Sequence, residues 1–249
     1  MLKAIVFDMD ETLLDINLSA FIAVLVREEA GLIARIGRVS PLKAVAAYGS
    51  ALMAVNATDH DGERTNRQIF DDVIRERTGV PLDDPVIADA MAYYEREVLR
   101  SRNDRIIHAR PMPGGREAVL AAHERGLHVA LLTNPSFSRA CIETRMGWGD
   151  LTDLPFELVT VMENSRHCKP TASYYRESLA QLGLDPAEAL MVGNDPKRDF
   201  AEPGCGLTTA YVGGGEPERA CWCGSMADFA PSLDEIIERF AERERVQLG

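Results

Sequence analysis

The chain has 249 residues, of which 27 are Lys or Arg and 39 are Asp or Glu, so its formal net charge is −12. A protein that binds nucleic acid needs clustered basic side chains, so this excess of acidic residues argues against a nucleic-acid partner. Hydrophobic residues make up 46% of the chain and charged residues 27%, which is typical of a folded globular protein and excludes wholesale disorder.

No apolar run in the sequence is long enough to cross a membrane as a helix, so we expect no membrane partner. The apolar stretch within residues 1–8 is also too short for a secretion signal. The five cysteines are too few, and odd in number, for a disulfide framework, which favours a reducing, cytoplasmic location. Cys221 and Cys223 stand one residue apart without a second pair at zinc-finger spacing, so their role stays open.

Five short runs of the chain are apolar throughout, which is typical of strands buried on both faces of a parallel sheet. These runs are residues 4–7, 129–132, 156–161, 189–192 and 208–212. Segments with helical periodicity lie between the later runs, at about residues 116–125 and 171–182. Strands that alternate with helices in this way predict an α/β fold with a parallel sheet.

The segment from about residue 16 to residue 105 is different, because it contains no strand-like run. Its apolar residues recur with the spacing of one-sided helices and predict four amphipathic helices. On the second helix, for example, we expect Leu42, Val45, Leu52 and Val55 to form the buried face. The sequence therefore predicts an all-helical module inserted after the first strand of the sheet.

Asp8 and Asp10 follow the first predicted strand directly. Two carboxylates this close repel each other, and a bound cation or a shared proton relieves the repulsion. They are therefore candidate metal ligands or acid–base groups. The alternative is an acidic turn solvated by water, with Asp10 capping a helix.

Polar residues also follow other predicted strands or precede the helix between them. They are Thr133, Asn134, Lys169, Asn194, Asp195 and Asp199. Sites in open α/β sheets form at the carboxyl ends of the strands, so we expect these residues to meet Asp8 and Asp10. Several acids, one ammonium group, a hydroxyl and an amide form a set that can bind a phosphoryl group together with Mg²⁺.

The sequence resembles the haloacid dehalogenase-like hydrolases in four motifs that occur in the family's order. They are Asp8-Met9-Asp10-Glu11-Thr12, Leu132-Thr133-Asn134, Lys169-Pro170 and Gly193-Asn194-Asp195-Pro196-Lys197-Arg198-Asp199. The resemblance covers residues 1–14 and 107–249. It implies a Rossmann-like core of residues 1–15 and 106–249, with residues 16–105 as a helical cap domain of the family's type one.

The resemblance also implies a role for each motif residue. Asp8 would attack phosphorus and form an aspartyl-phosphate, while Lys169 neutralises charge on the phosphate. Asp10 would act as general acid and then as general base. Thr133 and Asn134 would hold the phosphoryl oxygens or orient the nucleophile. Members that cleave carbon–halogen bonds lack the second aspartate, so Asp10 favours phosphate chemistry.

The implied cofactor is Mg²⁺, held by the Asp8 carboxylate, the Asp10 backbone carbonyl and Asp195. Motif four departs from the commonest family pattern, because Asn194 follows Gly193 where an aspartate is usual. Asn194 could ligate the metal through its amide oxygen instead of Asp195. Asp199 would be a partner of Lys169 or of metal-bound water.

The predicted activity is Mg²⁺-dependent hydrolysis of a phosphate monoester on a small phosphorylated metabolite, by a monomer or a homodimer. A phosphotransferase or phosphomutase would use the same intermediate. A receiver-like signalling module, which accepts phosphate on an aspartate and binds a partner, is an alternative of a different class. A metabolite-binding regulator without turnover is another, and Asn194 motivates it.

Overall fold

The structure is a computed structural model that describes the backbone of residues 1–248 and the side chains of residues 1–242. The described residues form eight strands, numbered here in chain order. They are β1 (Ala4–Phe7), β2 (Leu14–Asp15), β3 (Arg110–Pro111), β4 (His128–Leu131), β5 (Leu158–Val159), β6 (Ala189–Gly193), β7 (Thr208–Val212) and β8 (Ala220–Gly224). Six of them form one parallel sheet in the order β5-β4-β1-β6-β7-β8.

The helices of the described backbone occur in two groups, four of them between β2 and β3 and five after β3. They are α1 (Leu18–Gly37), α2 (Pro41–Val55), α3 (Asn66–Thr78), α4 (Pro85–Tyr93), α5 (Gly115–Glu124), α6 (Arg139–Trp148), α7 (Ala172–Ala180), α8 (Met226–Phe229) and α9 (Leu233–Leu248). A π-helical turn, Tyr94–Val98, and a 3-10 turn, Leu99–Arg102, extend α4. None of the described helices has both the length and the apolar character to span a membrane.

Strand β1 lies at the centre of the sheet, and all four of its residues are buried. Phe7, its last residue, pairs with Leu131 on β4 and with Val192 on β6. The three parallel strands therefore end at the same edge, and the residues that follow them meet there. This register confirms the predicted α/β, Rossmann-like fold.

All five predicted strands are present, although the strand predicted over residues 156–161 is limited to the two residues of β5. Strand β8 was not predicted, and it contains Cys221 and Cys223. Trp222 between them packs edge-on against Phe229, with ring centroids 5.6 Å apart. The described residues include no group of His, Cys, Asp or Glu side chains that could hold a metal ion around this pair.

The four predicted helices of the inserted segment are present, but the predicted buried face of α2 was wrong at its first two positions. Val55 is buried and Leu52 partly buried, whereas Leu42 is 81% exposed and Val45 is 41% exposed. The helix instead buries a face of small residues with one aromatic ring, namely Ala44, Ala47, Tyr48, Ala51 and Val55. Alanines allow α2 to pack closely against its neighbours α1 and α3, and Leu42 and Val45 lie outside that contact.

The inserted segment shares a hydrophobic cluster with the sheet. Phe21 and Leu25 of α1 belong to the same hydrophobic cluster as Phe7 of β1. At the two ends of the segment, β2 and β3 pair as a short antiparallel sheet that the sequence did not predict. The chain thus leaves and re-enters the α/β part side by side, close to the site that follows.

Candidate active site

A cavity of about 260 Å³ lies at the carboxyl ends of β1, β4 and β6. Its lining contains all the site residues that the sequence predicted, namely Asp8, Asp10, Thr133, Asn134, Lys169, Asn194, Asp195 and Asp199. The lining also includes Glu11, Leu18 and Arg198, which were not predicted. The expectation that the motif residues meet at one edge of the sheet therefore agrees with the structure.

Lys169 joins two acids at the base of this cavity. Its Nζ donates to Asp8 Oδ1 and to Asp199 Oδ1, each at 2.7 Å. The side chains of Lys169 and Asp199 are 1% and 2% exposed, so water screens these charges little. Burial alone would lower the pKa of Lys169, but the charges of Asp199 and Asp8 raise it well above its ordinary value.

Asp8 is the most perturbed acid of this group. Burial raises its pKa from 3.8 to about 7, against the lowering effect of Lys169. The neighbouring charges of Asp199 and Asp10 raise the pKa further. Ionised Asp8 therefore depends on positive charge close by, which is the environment that a nucleophilic carboxylate facing a phosphate would need.

The absence of a side chain at Gly193 leaves room for Asp199 to contact Lys169. A Cβ added at Gly193 would lie 2.2 Å from Asp199 Oδ2, which is too close for any side chain there. The same Asp199 oxygen accepts a hydrogen bond from the backbone N–H of Asp195 at 2.9 Å. The glycine of motif four therefore makes room for the carboxylate that holds the lysine.

Two buried hydroxyl groups hold the backbone of motif two in place by hydrogen bonds. Thr160 Oγ1 and the Tyr174 hydroxyl donate to the backbone carbonyl of Thr133 at 2.7 and 2.8 Å. Asn134 Oδ1 accepts from the backbone N–H of Lys169 at 3.1 Å, which ties motif two to motif three. The position of Thr133 relative to the lysine is thus set by hydrogen bonds rather than by an open loop.

The inserted segment contacts motif two through Asn56, the residue that ends α2. Asn134 Nδ2 donates to Asn56 Oδ1 at 2.8 Å, and Ser136 Oγ donates to the same oxygen at 3.0 Å. Asn56 lies outside every recognised motif, so sequence reasoning missed it. These hydrogen bonds bring the helical segment to the rim of the cavity.

Motif four presents its two candidate ligands differently. Asn194 Oδ1 accepts from Thr12 Oγ1 at 3.2 Å, and Asn194 Nδ2 donates to Glu11 at 3.2 Å. The Asp195 side chain is 42% exposed, and its Oδ1 accepts from the backbone N–H of Lys197 at 2.8 Å. Both polar ends of the amide are therefore engaged, whereas Asp195 keeps a carboxylate at the cavity.

The oxygen donors at the cavity fit a hard divalent cation. Five acidic side chains and two basic ones line it, so the acids are in excess. Mg²⁺ prefers oxygen ligands and usually keeps several waters. No group of three acidic, His or Cys side chains that could hold a metal is found among the described residues. The donor set from the sequence is compatible with this, because it combines two carboxylates, of Asp8 and Asp195, with the Asp10 backbone carbonyl.

Other side chains that could react or bind an anion are shielded or already paired. Cys168, next to Lys169, is only 3% exposed. Burial raises its pKa to about 12, so it is not a reactive thiolate. Arg64 and Arg75 form ion pairs with Asp72 and Asp83 within the helical segment.

Asp10 has a partner that sequence reasoning missed. Arg145, on α6, is fully buried and donates from Nη2 to Asp10 Oδ1. The two residues are 135 positions apart in the chain, and an arginine inside a helix pattern is ordinarily a solvated residue. Their contact therefore depends on how α6 packs beneath the loop after β1.

Comparison with known proteins agrees with this geometry. A model of the haloacid dehalogenase-like hydrolases matches residues 2–201. The chain belongs to this family of hydrolases. A comparison with curated proteins gave no match.

Solved structures of haloacid dehalogenase-like proteins share the fold at low sequence identity. A phosphatase of this family from Thermococcus onnurineus is 18% identical, with a TM-score of 0.54 over 95% of this chain and 98% of that one. A β-phosphoglucomutase from Clostridium difficile is 17% identical, with a TM-score of 0.55 over 98% and 99%. An L-2-haloacid dehalogenase from Xanthobacter autotrophicus is 18% identical, with a TM-score of 0.51 over 94% and 99%. These likenesses show the fold and leave the reaction to be argued from the site.

Proposed function

We propose that this hydrolase removes phosphate from a small phosphorylated metabolite by way of an aspartyl-phosphate. The observation that supports this most directly is the buried bridge from Lys169 to Asp8 and Asp199. It places a carboxylate and a fixed positive charge together at the base of a cavity. A carboxylate can approach a phosphate dianion only if charge on the phosphate is neutralised.

The chain's own residues account for both halves of the reaction. In the first, an Asp8 oxygen forms a bond to phosphorus as the bond to the ester oxygen breaks, and Asp10 gives that oxygen a proton. In the second, Asp10 accepts a proton from the water that attacks phosphorus and releases Asp8. Lys169 holds the phosphoryl charge in both halves, and Thr133 and Asn134 would orient the phosphoryl oxygens.

Mg²⁺ would be held by the carboxylates of Asp8 and Asp195 and by the Asp10 carbonyl. When bound, it would neutralise part of the phosphate charge. Asp195 is the better candidate than Asn194, because it offers a charged carboxylate with two oxygens, whereas Asn194 offers one neutral oxygen that already accepts from Thr12.

Asp10 supports phosphate chemistry over carbon–halogen cleavage, although the fold is shared with a dehalogenase. The structure has a second carboxylate at the cavity, beside the candidate nucleophile. Breaking a phosphate ester requires a proton for the departing alkoxide, whereas a halide departs without one. An acid–base group at this position therefore has a use in phosphate transfer.

The test is a panel of phosphorylated metabolites, assayed for released phosphate with Mg²⁺ and with a chelator. We expect release from at least one small phosphate ester, dependent on Mg²⁺ and absent in Asp8→Asn. Transfer of phosphate to an added sugar phosphate without release to water would instead favour a phosphotransferase. Chloride release from L-2-chloropropionate, with no turnover of any phosphate ester, would refute the proposal.

A further inference from the structure

Arg145 occupies an unusual environment beneath the candidate active site. Its side chain is 0% exposed, and the carbon of its guanidinium lies 4.6 Å from the centre of the Phe21 ring and 5.3 Å from that of Phe137. Its Nη2 donates to Asp10 Oδ1, and the Asp10 side chain is 16% exposed at the cavity. The guanidinium is therefore held between two rings and aimed at one carboxylate.

This arrangement is costly for folding. Nε and Nη1 of Arg145 have no hydrogen-bond partner among the described residues, although both atoms are buried. A buried donor without a partner loses its hydration with no compensation, and a buried ion pair is often no more stable than an apolar pair of the same size. A methionine in the same space would avoid both costs. Stability alone therefore does not account for the arginine.

We propose that Arg145 is a positioning residue that holds the Asp10 carboxylate in its productive orientation. An aspartate beside a cavity can rotate, and an acid–base group works only within hydrogen-bond reach of the reacting oxygen. The contact from Arg145 fixes one Asp10 oxygen and leaves the other for the substrate. This inference rests on the proposed function, because it assigns a task within that reaction.

If Arg145 positions Asp10, the loss of activity on removing Arg145 should depend on the substrate. When the P–O bond of an alkyl phosphate breaks, the departing alkoxide is strongly basic and needs the Asp10 proton. The 4-nitrophenolate that departs from 4-nitrophenyl phosphate is weakly basic and departs without one. A misplaced Asp10 therefore slows formation of the aspartyl-phosphate far more from the alkyl ester than from the aryl ester. A general loss of structure would slow both alike.

The experiment compares kcat/KM for 4-nitrophenyl phosphate with kcat/KM for the alkyl phosphate of the panel that the wild type hydrolyses fastest, because kcat/KM reports formation of the aspartyl-phosphate and not its later hydrolysis, which is common to both esters. We expect Arg145→Met to lower kcat/KM about a hundredfold for the alkyl ester and no more than about threefold for the aryl ester. Arg145→Lys should restore part of the alkyl activity. The control is Arg139→Met, which removes a half-exposed arginine from the same helix and should leave both rates unchanged.

Asp10→Asn provides the matching comparison. If Arg145 acts through Asp10, Asp10→Asn shows the same selectivity, and adding Arg145→Met to it causes little further loss. Independent, multiplying losses in the double variant would overturn the assignment. If the arginine variants do not fold, Phe21→Leu removes the ring under the guanidinium without removing its charge, and it should show a smaller loss of the same selectivity.

Failure of this inference differs from failure of the proposed function. A wild-type enzyme that hydrolyses both esters, with equal losses in Arg145→Met, overturns the positioning role alone. A wild type that hydrolyses the aryl ester but no alkyl phosphate also overturns it, since no departing group then needs Asp10. A wild type that releases phosphate from neither ester refutes the proposed function, and the positioning role with it.

Discussion

Lys169 Nζ lies 2.7 Å from Asp8 Oδ1, and 1% and 12% of the two side chains are exposed. The pair joins the strand end of motif one to the helix start of motif three, across 161 positions of the chain. Because both groups are buried, their mutual attraction is screened little by water. Stability and reactivity at this site therefore depend on the same contact.

Replacing the lysine tests that dependence. Lys169→Met leaves Asp8 and Asp199 buried without their cation, which should lower the free energy of unfolding by about 3–5 kcal/mol. Phosphate release should fall at least about a hundredfold, because the charge that neutralises the phosphate is lost. Urea unfolding and a phosphate assay measure the two effects. Lys197→Met, on an exposed residue of motif four, is the control and should change neither. Unchanged unfolding in Lys169→Met would contradict the importance of the pair.

Removing the candidate nucleophile should reduce phosphate release more strongly than removing the lysine. Asp8→Asn should lower phosphate release by at least about a thousandfold, since an amide does not form the acyl-phosphate intermediate. Mg²⁺ affinity, measured by calorimetry, should also fall because the site loses a carboxylate. Mass spectrometry must first exclude conversion of the asparagine back to aspartate. Turnover near the wild-type rate in a verified preparation would show that another group attacks phosphorus.

A substitution at Gly193 tests the contact between Asp199 and Lys169 without changing any charge. In Gly193→Ala the new Cβ would collide with Asp199, so we expect Asp199 to move away from Lys169. Turnover should fall by about tenfold or more, and the melting temperature should drop. Gly214→Ala is the control, because a Cβ there meets no atom within 4 Å. If Gly193→Ala kept full activity, the Asp199 contact would be dispensable.

A second group of buried acids should make stability depend on pH. Glu29 and Glu95 face each other where the inserted segment meets the core, near Tyr48, Arg67 and Ser138. Ser138 Oγ donates to Glu95 Oε1 at 2.6 Å, and the Tyr48 hydroxyl donates to Glu29 Oε2 at 2.8 Å. Burial raises the pKa of Glu95 from 4.5 to about 6, and burial together with the charge of Glu95 raises that of Glu29 well above its ordinary value.

Because burial raises the pKa of both glutamates, the protein should become less stable as pH rises. Between pH 4.5 and about 6, the folded state holds a proton on Glu95 that the unfolded state has lost, so stability falls as pH rises. The loss from Glu95 amounts to about 2 kcal/mol by pH 8. Glu95→Gln, which can still accept from Ser138, should gain that amount relative to the wild type between about pH 4.5 and 8.

Urea unfolding at several pH values measures the difference. Glu97→Gln, on an exposed residue of the same turn, is the control and should show a flat difference from the wild type. A difference between Glu95→Gln and the wild type that stays constant with pH would mean that Glu95 does not bind a proton in this range.

The amino-acid sequence by itself determined the alternation of strands and helices, the helical nature of the inserted segment and most of the polar residues that line the cavity. Asp8, Asp10, Thr133 and Asp195 could be located because each follows a buried strand. Parallel strands end at a common edge, so position along the chain fixes position in space. Local patterns are sufficient wherever backbone geometry alone decides where a residue lies.

Tertiary structure alone decided the features that depend on which elements pack together. The contact of Arg145 with Asp10, the hydrogen bonds of Asn56 and the alanine face of α2 each require a particular approach of one helix to another element. Helical periodicity predicts that one face of a helix is buried but not which neighbour covers it. Large and small side chains can pack equally well against different partners. The partners of a buried charge depend on how distant parts of the chain pack around it in the folded protein.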